Sequence, residues 1–127
     1  MGLDMYFTRE PKNVSSKDSR RYSQEVGYFR KHNALHQWLV DNAQDGVDEC
    51  QRIAVTPECL AKCFGLVQTA CVLRDASLMP PTRGFFFGST TVDELYWSKM
   101  IESYKTLQDI LETTDFETEN IYYQSSW

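Results

Sequence analysis

Two long segments with the 3.6-residue apolar period of an α-helix limit the fold of this chain more than any other feature. The segment 57–73 follows Thr56, a good helix cap, and opens with a proline, which suits a first helical turn. The segment 92–112 carries a broader apolar stripe and follows the capping pair Thr91 and Glu94. We expect this second segment to be the central helix of the domain.

Shorter segments supply a third helix and candidate strands. Residues 28–43 have apolar side chains at helical spacing and run into a polar stretch that Gly46 closes. Residues 3–7 and 121–123 alternate apolar and polar in the manner of strands, the latter at a sheet edge. Three consecutive phenylalanines at 85–87, with a glycine on each side, predict a short buried strand.

These elements predict an α+β fold, with about three helices packed on a small, mostly antiparallel sheet. We expect the helices near residues 28–43, 57–73 and 92–112. The sheet should use residues 3–7 together with either 85–87 or 121–123. Residues 1–127 should form a single domain, with a mobile polar loop at 9–24 and a partly extended tail at 114–127.

Composition fits one core and a cytoplasmic protein. The 127 residues are 42% hydrophobic, enough for one domain of ordinary size. No signal peptide or membrane span is evident, so we expect no membrane association, a reducing cytoplasm and free thiols at all four cysteines. The net charge of −5 argues against nonspecific nucleic-acid binding.

Charge is distributed unevenly along the chain. Basic residues outnumber acidic ones in residues 1–31, whereas acidic residues predominate from residue 32 onward. This asymmetry is consistent with two different partners, or with a solvated loop that happens to be basic.

No motif predicts a reaction, a metal or a cofactor. The stretch GFFFGST lacks the glycine spacing and the lysine of a phosphate-binding loop. His32 and His36 are four residues apart, as in some metal sites, but no acid completes the HExxH pattern, and a third ligand would have to come from Asp4, Asp41, Asp45, Asp48 or Glu49. Cys59 and Cys63 have the spacing of core residues on a helix, and nothing local marks an activated thiol. The sequence assigns no catalytic residue and leaves enzymatic activity open.

Three segments together resemble a family of small proteins encoded by bacteriophages and prophages. They are MGLDMY at the start, the YFRKHNALHQW stretch, which matches Y(F/W)RKxNxxHxW, and GFFFGSTTVDELYW, which matches GFFFGSTxxDExYW. The chain departs from the usual form at Phe29 and Leu35, both conservatively. The resemblance covers most of the chain outside 9–24 and the tail, and it implies phage origin and action in the host cytoplasm.

Several polar residues lie within or beside these motifs, and they define a first candidate site. If the first strand packs against the first helix, these residues would line one shared cleft suited to a small molecule or a nucleotide phosphate. The candidate cleft consists of Asp4, Arg30, Lys31, Asn33, His36 and Arg83.

Two functions remain open at this point. The first is binding of a host protein, for example a defence nuclease or other nucleic-acid-handling machinery, in the manner of an anti-CRISPR protein; a homodimer is also possible. The candidate surface for it consists of Asp45, Asp48, Glu49, Tyr122, Tyr123 and Trp127. The second is a small-molecule or nucleotide-binding protein, or an enzyme, that uses the polar cleft near Asp4, Arg30 and His36.

Overall fold

The computed structural model describes residues 2–84 and 88–127, which form one small α+β domain. The strands are β1 (Asp4–Pro11), β2 (Gln24–Arg30), β3 (Ile53–Val55) and β4 (Glu119–Ser126), and the helices are α1 (Ser16–Arg21), α2 (Asn33–Ala43), α3 (Pro57–Leu73) and α4 (Glu94–Thr113). The strands in the described ranges make one antiparallel sheet in the order β2-β1-β4-β3. The expected fold class is therefore confirmed.

The sheet has one apolar face and one polar face because side chains alternate along each strand. In β1, Met5 and Phe7 are fully buried, and Phe7 pairs with Gly27 of β2 and with Tyr123 of β4. The helices α2, α3 and α4 supply the rest of this core. The other side of the sheet, named here the open face, carries residues that are half-buried or exposed: Asp4, Tyr6, Thr8, Tyr28, Arg30, Tyr122 and Gln124.

The two long helices begin and pack as their sequences predict, with one change at a cap. Thr56 caps α3 by accepting a hydrogen bond from the Cys59 amide at 3.1 Å. The residue that caps α4 is Asp93, which accepts from the Tyr96 amide at 3.1 Å, so the expected Thr91–Glu94 capping box is wrong.

The predicted helix at 28–43 begins five residues late. Residues 28–30 belong to β2, where Phe29 is buried and Tyr28 and Arg30 point to the open face. Lys31 then takes a left-handed conformation, with φ of 55°, and separates the strand from α2. The apolar residues of β2 and of α2 follow each other closely in sequence, so the prediction assigned both segments to a single helix.

The segment 9–24 is also more structured than expected. β1 continues to Pro11, which pairs with Glu119 of β4. The side chain of Arg9 donates to the hydroxyls of Thr113 and Thr114 at 2.9 and 3.1 Å, which ties this end of β1 to the end of α4. The polar six-residue helix α1 follows, so the expected loop contains a strand end, a helix and the start of β2.

The tail forms the strand β4, as predicted, but at an interior position. Ile121 and Tyr123 face the core and Tyr122 faces the other side, as their alternation indicates. β4 pairs with both β1 and β3, which corrects the expected edge position. The strand predicted at 85–87 lies outside the described residues.

His32, just before α2, is a buried imidazole held against α4. Its Nε2 lies 2.7 Å from the hydroxyl oxygen of Ser103, and that hydroxyl donates to the Lys99 carbonyl at 2.8 Å. Nε2 therefore carries the proton and donates to Ser103. Burial, assisted by the positive charge of Lys99, lowers the pKa of His32 to about 3.

Two glycines should respond in opposite directions to replacement by alanine. A Cβ at Gly27 would lie 2.8 Å from a methyl carbon of Thr106 and 3.4 Å from Phe7, so Gly27→Ala should cost about 1–3 kcal/mol. A Cβ at Gly65 of α3 would meet nothing within 4 Å, so Gly65→Ala should stabilise by about 0.5–1 kcal/mol. Urea unfolding of both variants measures this; a stable Gly27→Ala variant would contradict the close packing of α4 on β2.

The buried imidazole of His32 should make the protein sensitive to acid. The unfolded chain binds a proton near pH 6.5 and the folded chain only near pH 3, so this contribution is complete above pH 6.5 and is lost as pH falls toward 3. Relative to His32→Gln, the wild type should lose about 2 kcal/mol of unfolding free energy between pH 7 and 5. Denaturant titrations at both pH values test this, and parallel losses in the two proteins would contradict a neutral, buried His32.

Candidate functional site

The residues of the predicted cleft do not converge, because they lie on opposite sides of the sheet. Asp4 and Arg30 are directly opposite each other on β1 and β2, on the open face. Asp4 accepts a hydrogen bond from the hydroxyl of Tyr28 at 2.5 Å, and this bond raises the pKa of Tyr28. His36, in contrast, is fully buried on α2, on the core side of the sheet. The cleft near Asp4, Arg30 and His36 is therefore not formed.

Asn33 and Lys31 join two of the three motif segments. The buried Asn33 amide donates to the Ser89 carbonyl and accepts from the Thr82 amide, each at 2.9 Å. Lys31 lies against Gly88, where an added Cβ would be 3.2 Å from the Lys31 Cβ. The remaining member of the predicted cleft, Arg83, is exposed on this segment. These contacts assign Asn33 and Lys31 a role in packing the YFRKHN and GST stretches together.

His36 is the centre of a hydrogen-bonded chain that reaches the surface. Its Nδ1 lies 2.6 Å from the Tyr123 hydroxyl, and its Nε2 lies 2.9 Å from Asp48 Oδ2. The indole N–H of Trp127 donates to the other oxygen of Asp48 at 3.0 Å. A carboxylate only accepts, so Nε2 carries the proton and donates to Asp48. In this tautomer Nδ1 accepts from Tyr123, which keeps its proton because burial raises its pKa well above the usual range.

The chain of bonds supports a structural role for His36, since its inner end is closed to solvent. Tyr123 and His36 are both fully buried, so no substrate reaches the phenol or the imidazole. Asp48, with a side chain 21% exposed, is the point at which the chain meets the surface. The sequence analysis placed His36 in one candidate site and Asp48, Tyr123 and Trp127 in the other, and the structure brings these four together.

Asp48 belongs to a loop that leaves α2 and enters β3, named here the acidic loop (residues 44–51). Its backbone is strained, with positive φ at Asp45 (53°), Gly46 (77°) and Cys50 (58°). Such conformations cost free energy at residues other than glycine, and they persist only where surrounding contacts impose them. The loop is thus held in one shape by interactions outside it as well as within it.

Hydrogen bonds at both ends of the acidic loop supply that restraint. The Gly46 amide donates to the Val40 carbonyl at 2.8 Å, which fastens the loop to the end of α2. The side chain of Gln124, on β4, donates to the Cys50 carbonyl at 3.0 Å. With the His36–Asp48 bond between them, these contacts fix the loop at three points. We infer that the acidic loop is preorganised, which reduces the entropy lost on binding.

Most residues of the predicted protein-binding surface lie in or beside this loop. Asp45 and Glu49 are exposed on it, and Trp127 is 41% exposed where it meets Asp48. Tyr122 lies on the open face, covered by the guanidinium of Arg52 at 3.6 Å from the ring centre. Tyr123 is the correction in this set: its alternation along β4 turns it into the core. The acidic–aromatic patch therefore consists of Asp45, Asp48, Glu49 and Trp127.

Two relevant residues, one in the loop and one directly after it, were not predicted from the sequence. Val47 is 45% exposed and adds apolar surface to the patch. Arg52, the next basic residue after the loop, pairs with Glu10 and stacks on Tyr122, so its charge is directed to the open face. Residues 44–51 contain no basic side chain that could neutralise their carboxylates. The residue types alone predict neither the exposure of Val47 nor the contacts of Arg52.

The cysteines and histidines offer no alternative chemistry in the described part of the chain. Burial raises the pKa values of Cys59, Cys63 and Cys71, which keeps these thiols protonated and poorly nucleophilic. His32 and His36 bond to different partners, and residues 2–84 and 88–127 contain no cluster of three metal-ligating side chains.

Comparison of the chain with protein-family models, curated proteins and solved structures found no match. Among the described residues, no helix has the length and apolarity needed to cross a membrane.

Loss of the Asp48 carboxylate should loosen the acidic loop and destabilise the fold. Asp48→Ala removes the acceptor of the hydrogen bonds from His36 Nε2 and from the Trp127 indole, which should cost about 1–3 kcal/mol. Hydrogen exchange at the Gly46 and Val47 amides should accelerate. The control is Asp41→Ala, which removes an exposed carboxylate on α2 that accepts a hydrogen bond from Gln37 and should cost no more than about 0.5 kcal/mol. Equal effects of the two substitutions would show that the network does not fix the loop.

Proposed function

We propose that this chain is a bacteriophage-encoded binding protein that acts in the host cytoplasm and attaches to a basic surface of a host protein through its acidic–aromatic patch. The observation that carries the proposal is the fixed loop itself: a buried hydrogen-bond chain holds Asp48, which accepts from the exposed indole of Trp127, on a loop that also exposes Asp45 and Glu49. The resemblance of the three sequence segments to phage proteins supports the origin.

The chemistry of the patch favours a basic protein partner. Trp127 and Val47 offer apolar contact area, and tryptophan is prominent among residues that dominate binding energies at protein interfaces. Asp45 and Glu49, which are exposed on the same loop, add negative charge, which attracts a positively charged partner and speeds association. A surface that normally binds nucleic acid has this charge, and an acidic protein that occupies it competes with the nucleic acid. A defence nuclease or other nucleic-acid-handling protein fits that description.

The small-molecule alternative loses its proposed site. Asp4 and Arg30 lie on the open face and His36 lies in the core, so these three side chains cannot contact one ligand. The acidic loop, in contrast, carries two left-handed non-glycine residues, Asp45 and Cys50, and hydrogen bonds to α2 and β4 hold it in place. Protein binding is thus the function that the geometry supports best.

Charge reversal in the acidic loop should abolish binding of the partner. Host proteins captured from a bacterial lysate by the wild-type chain should be lost with the double variant Asp45→Lys, Glu49→Lys. The control is Glu112→Lys, Glu117→Lys, which changes the net charge equally at exposed positions outside the loop. With the purified partner, reversal should weaken affinity by about tenfold or more, because like charges at an interface repel strongly.

The dependence on salt and on Trp127 completes this test. Affinity for the wild type should fall as ionic strength rises, and Trp127→Ala should weaken binding at every salt concentration. If both double variants lose the same partners, the interaction depends on net charge alone and the proposed patch is wrong. If neither variant loses them, the partner binds elsewhere. Sedimentation of the purified chain separates a host partner from a second copy of the protein.

A further inference from the structure

A polar pocket opens where the end of β1 and the start of β4 meet α1. It encloses about 210 Å³ and is named here the Glu10 pocket. The strands β1 and β4, the helix α1 and the residue before β3 all contribute to it. Its polar lining consists of Glu10, Lys12, Arg20, Arg52, Asn120 and Tyr122.

Glu10 forms one side of the pocket and holds Arg52 in position. Although it lies on the polar side of β1, its exposure is only 2%, and its carboxylate pairs with the guanidinium of Arg52. The same guanidinium stacks on the ring of Tyr122 at 3.6 Å from the ring centre. Arg52 is therefore held from two sides. A guanidinium has five N–H donors, and one carboxylate accepts at most two of them in the usual paired geometry, so donors remain for a ligand.

The charge balance in the pocket is opposite to that of the whole chain. Lys12, Arg20 and Arg52 supply three positive charges, and Glu10 supplies the one negative charge among the lining residues, in a protein of net charge −5. The ammonium of Lys12 donates to the Phe116 carbonyl and retains further donors. The side chain of Arg20 is exposed at the rim of the pocket. The basic N-terminal segment thus contributes two cations to a concave site.

We propose that the Glu10 pocket binds a small oxyanion, a phosphate or carboxylate group. Arginine forks match the oxygen geometry of both groups. The volume is below the roughly 300–1,000 Å³ of pockets for drug-sized ligands, which favours a small charged group. Glu10 fixes Arg52 in place and reduces the net positive charge. This site is separate from the acidic–aromatic patch, and its function does not depend on the proposed binding of a host protein.

The test is a titration of the ¹⁵N-labelled full chain with sodium phosphate and, separately, with sodium acetate, each at constant ionic strength set with sodium chloride. Saturable shifts of the Arg20 and Arg52 side-chain signals with either anion support the proposal. Saturation by phosphate alone identifies a phosphate group as the ligand, by acetate alone a carboxylate, and by both a general oxyanion site.

Neighbouring arginines on α1 provide matched variants. Arg20→Gln should weaken the affinity for the anion by about tenfold, the effect of losing one charged hydrogen bond. Arg21→Gln removes the same charge from an exposed residue that does not line the pocket and should change affinity by less than about twofold. Absence of saturable shifts with both anions, or equal weakening by the two substitutions, would overturn the proposal.

Discussion

The buried chain from Tyr123 through His36 to Asp48 is the interaction on which the proposed site depends. It connects β4, near the end of the chain, to α2 and to the acidic loop that follows α2, so segments distant in sequence share one hydrogen-bond network. Buried polar groups are costly unless every donor and acceptor is paired. The bond between His36 and Asp48 forms with the loop in place, where Asp45 and Cys50 have strained, left-handed backbone conformations. The cost of that strain is offset by the packing of the core.

The two faces of the sheet differ in what covers them: one face packs against the helices, and the other does not. Alternation along β1 and β4 directs Phe7, Ile121 and Tyr123 toward the helices, and it leaves Tyr6, Tyr28 and Tyr122 on the other side. With the long helices on the core side, the open face and the loops at its ends remain accessible. The acidic loop and the Glu10 pocket have opposite charge. Two of the three cations of the Glu10 pocket, Lys12 and Arg20, come from the basic N-terminal segment, and the acidic loop belongs to the acidic remainder of the chain.

The sequence predicted those features that local patterns encode. The α3 helix was predicted closely because its cap, its first-turn proline and its apolar period are all local signals. The register of β2 against β1 depends on long-range pairing, and residues 28–30 were therefore assigned to the following helix. The same limit applies to the candidate site. Asp45, Asp48, Glu49 and Trp127 were selected for their residue types, whereas their connection through His36 and Tyr123 required the tertiary fold.

The central claim is that His36 holds the acidic loop through a fixed, fully bonded imidazole, and its ring nitrogens report this directly. Heteronuclear NMR of the ¹⁵N-labelled imidazole distinguishes a protonated nitrogen from one that accepts a hydrogen bond. The account predicts that at neutral pH His36 has a single tautomer, with Nε2 protonated, Nδ1 accepting from Tyr123 and the Nε2 proton exchanging slowly with water. Averaged tautomers, or a ring proton in rapid exchange with solvent, would contradict it.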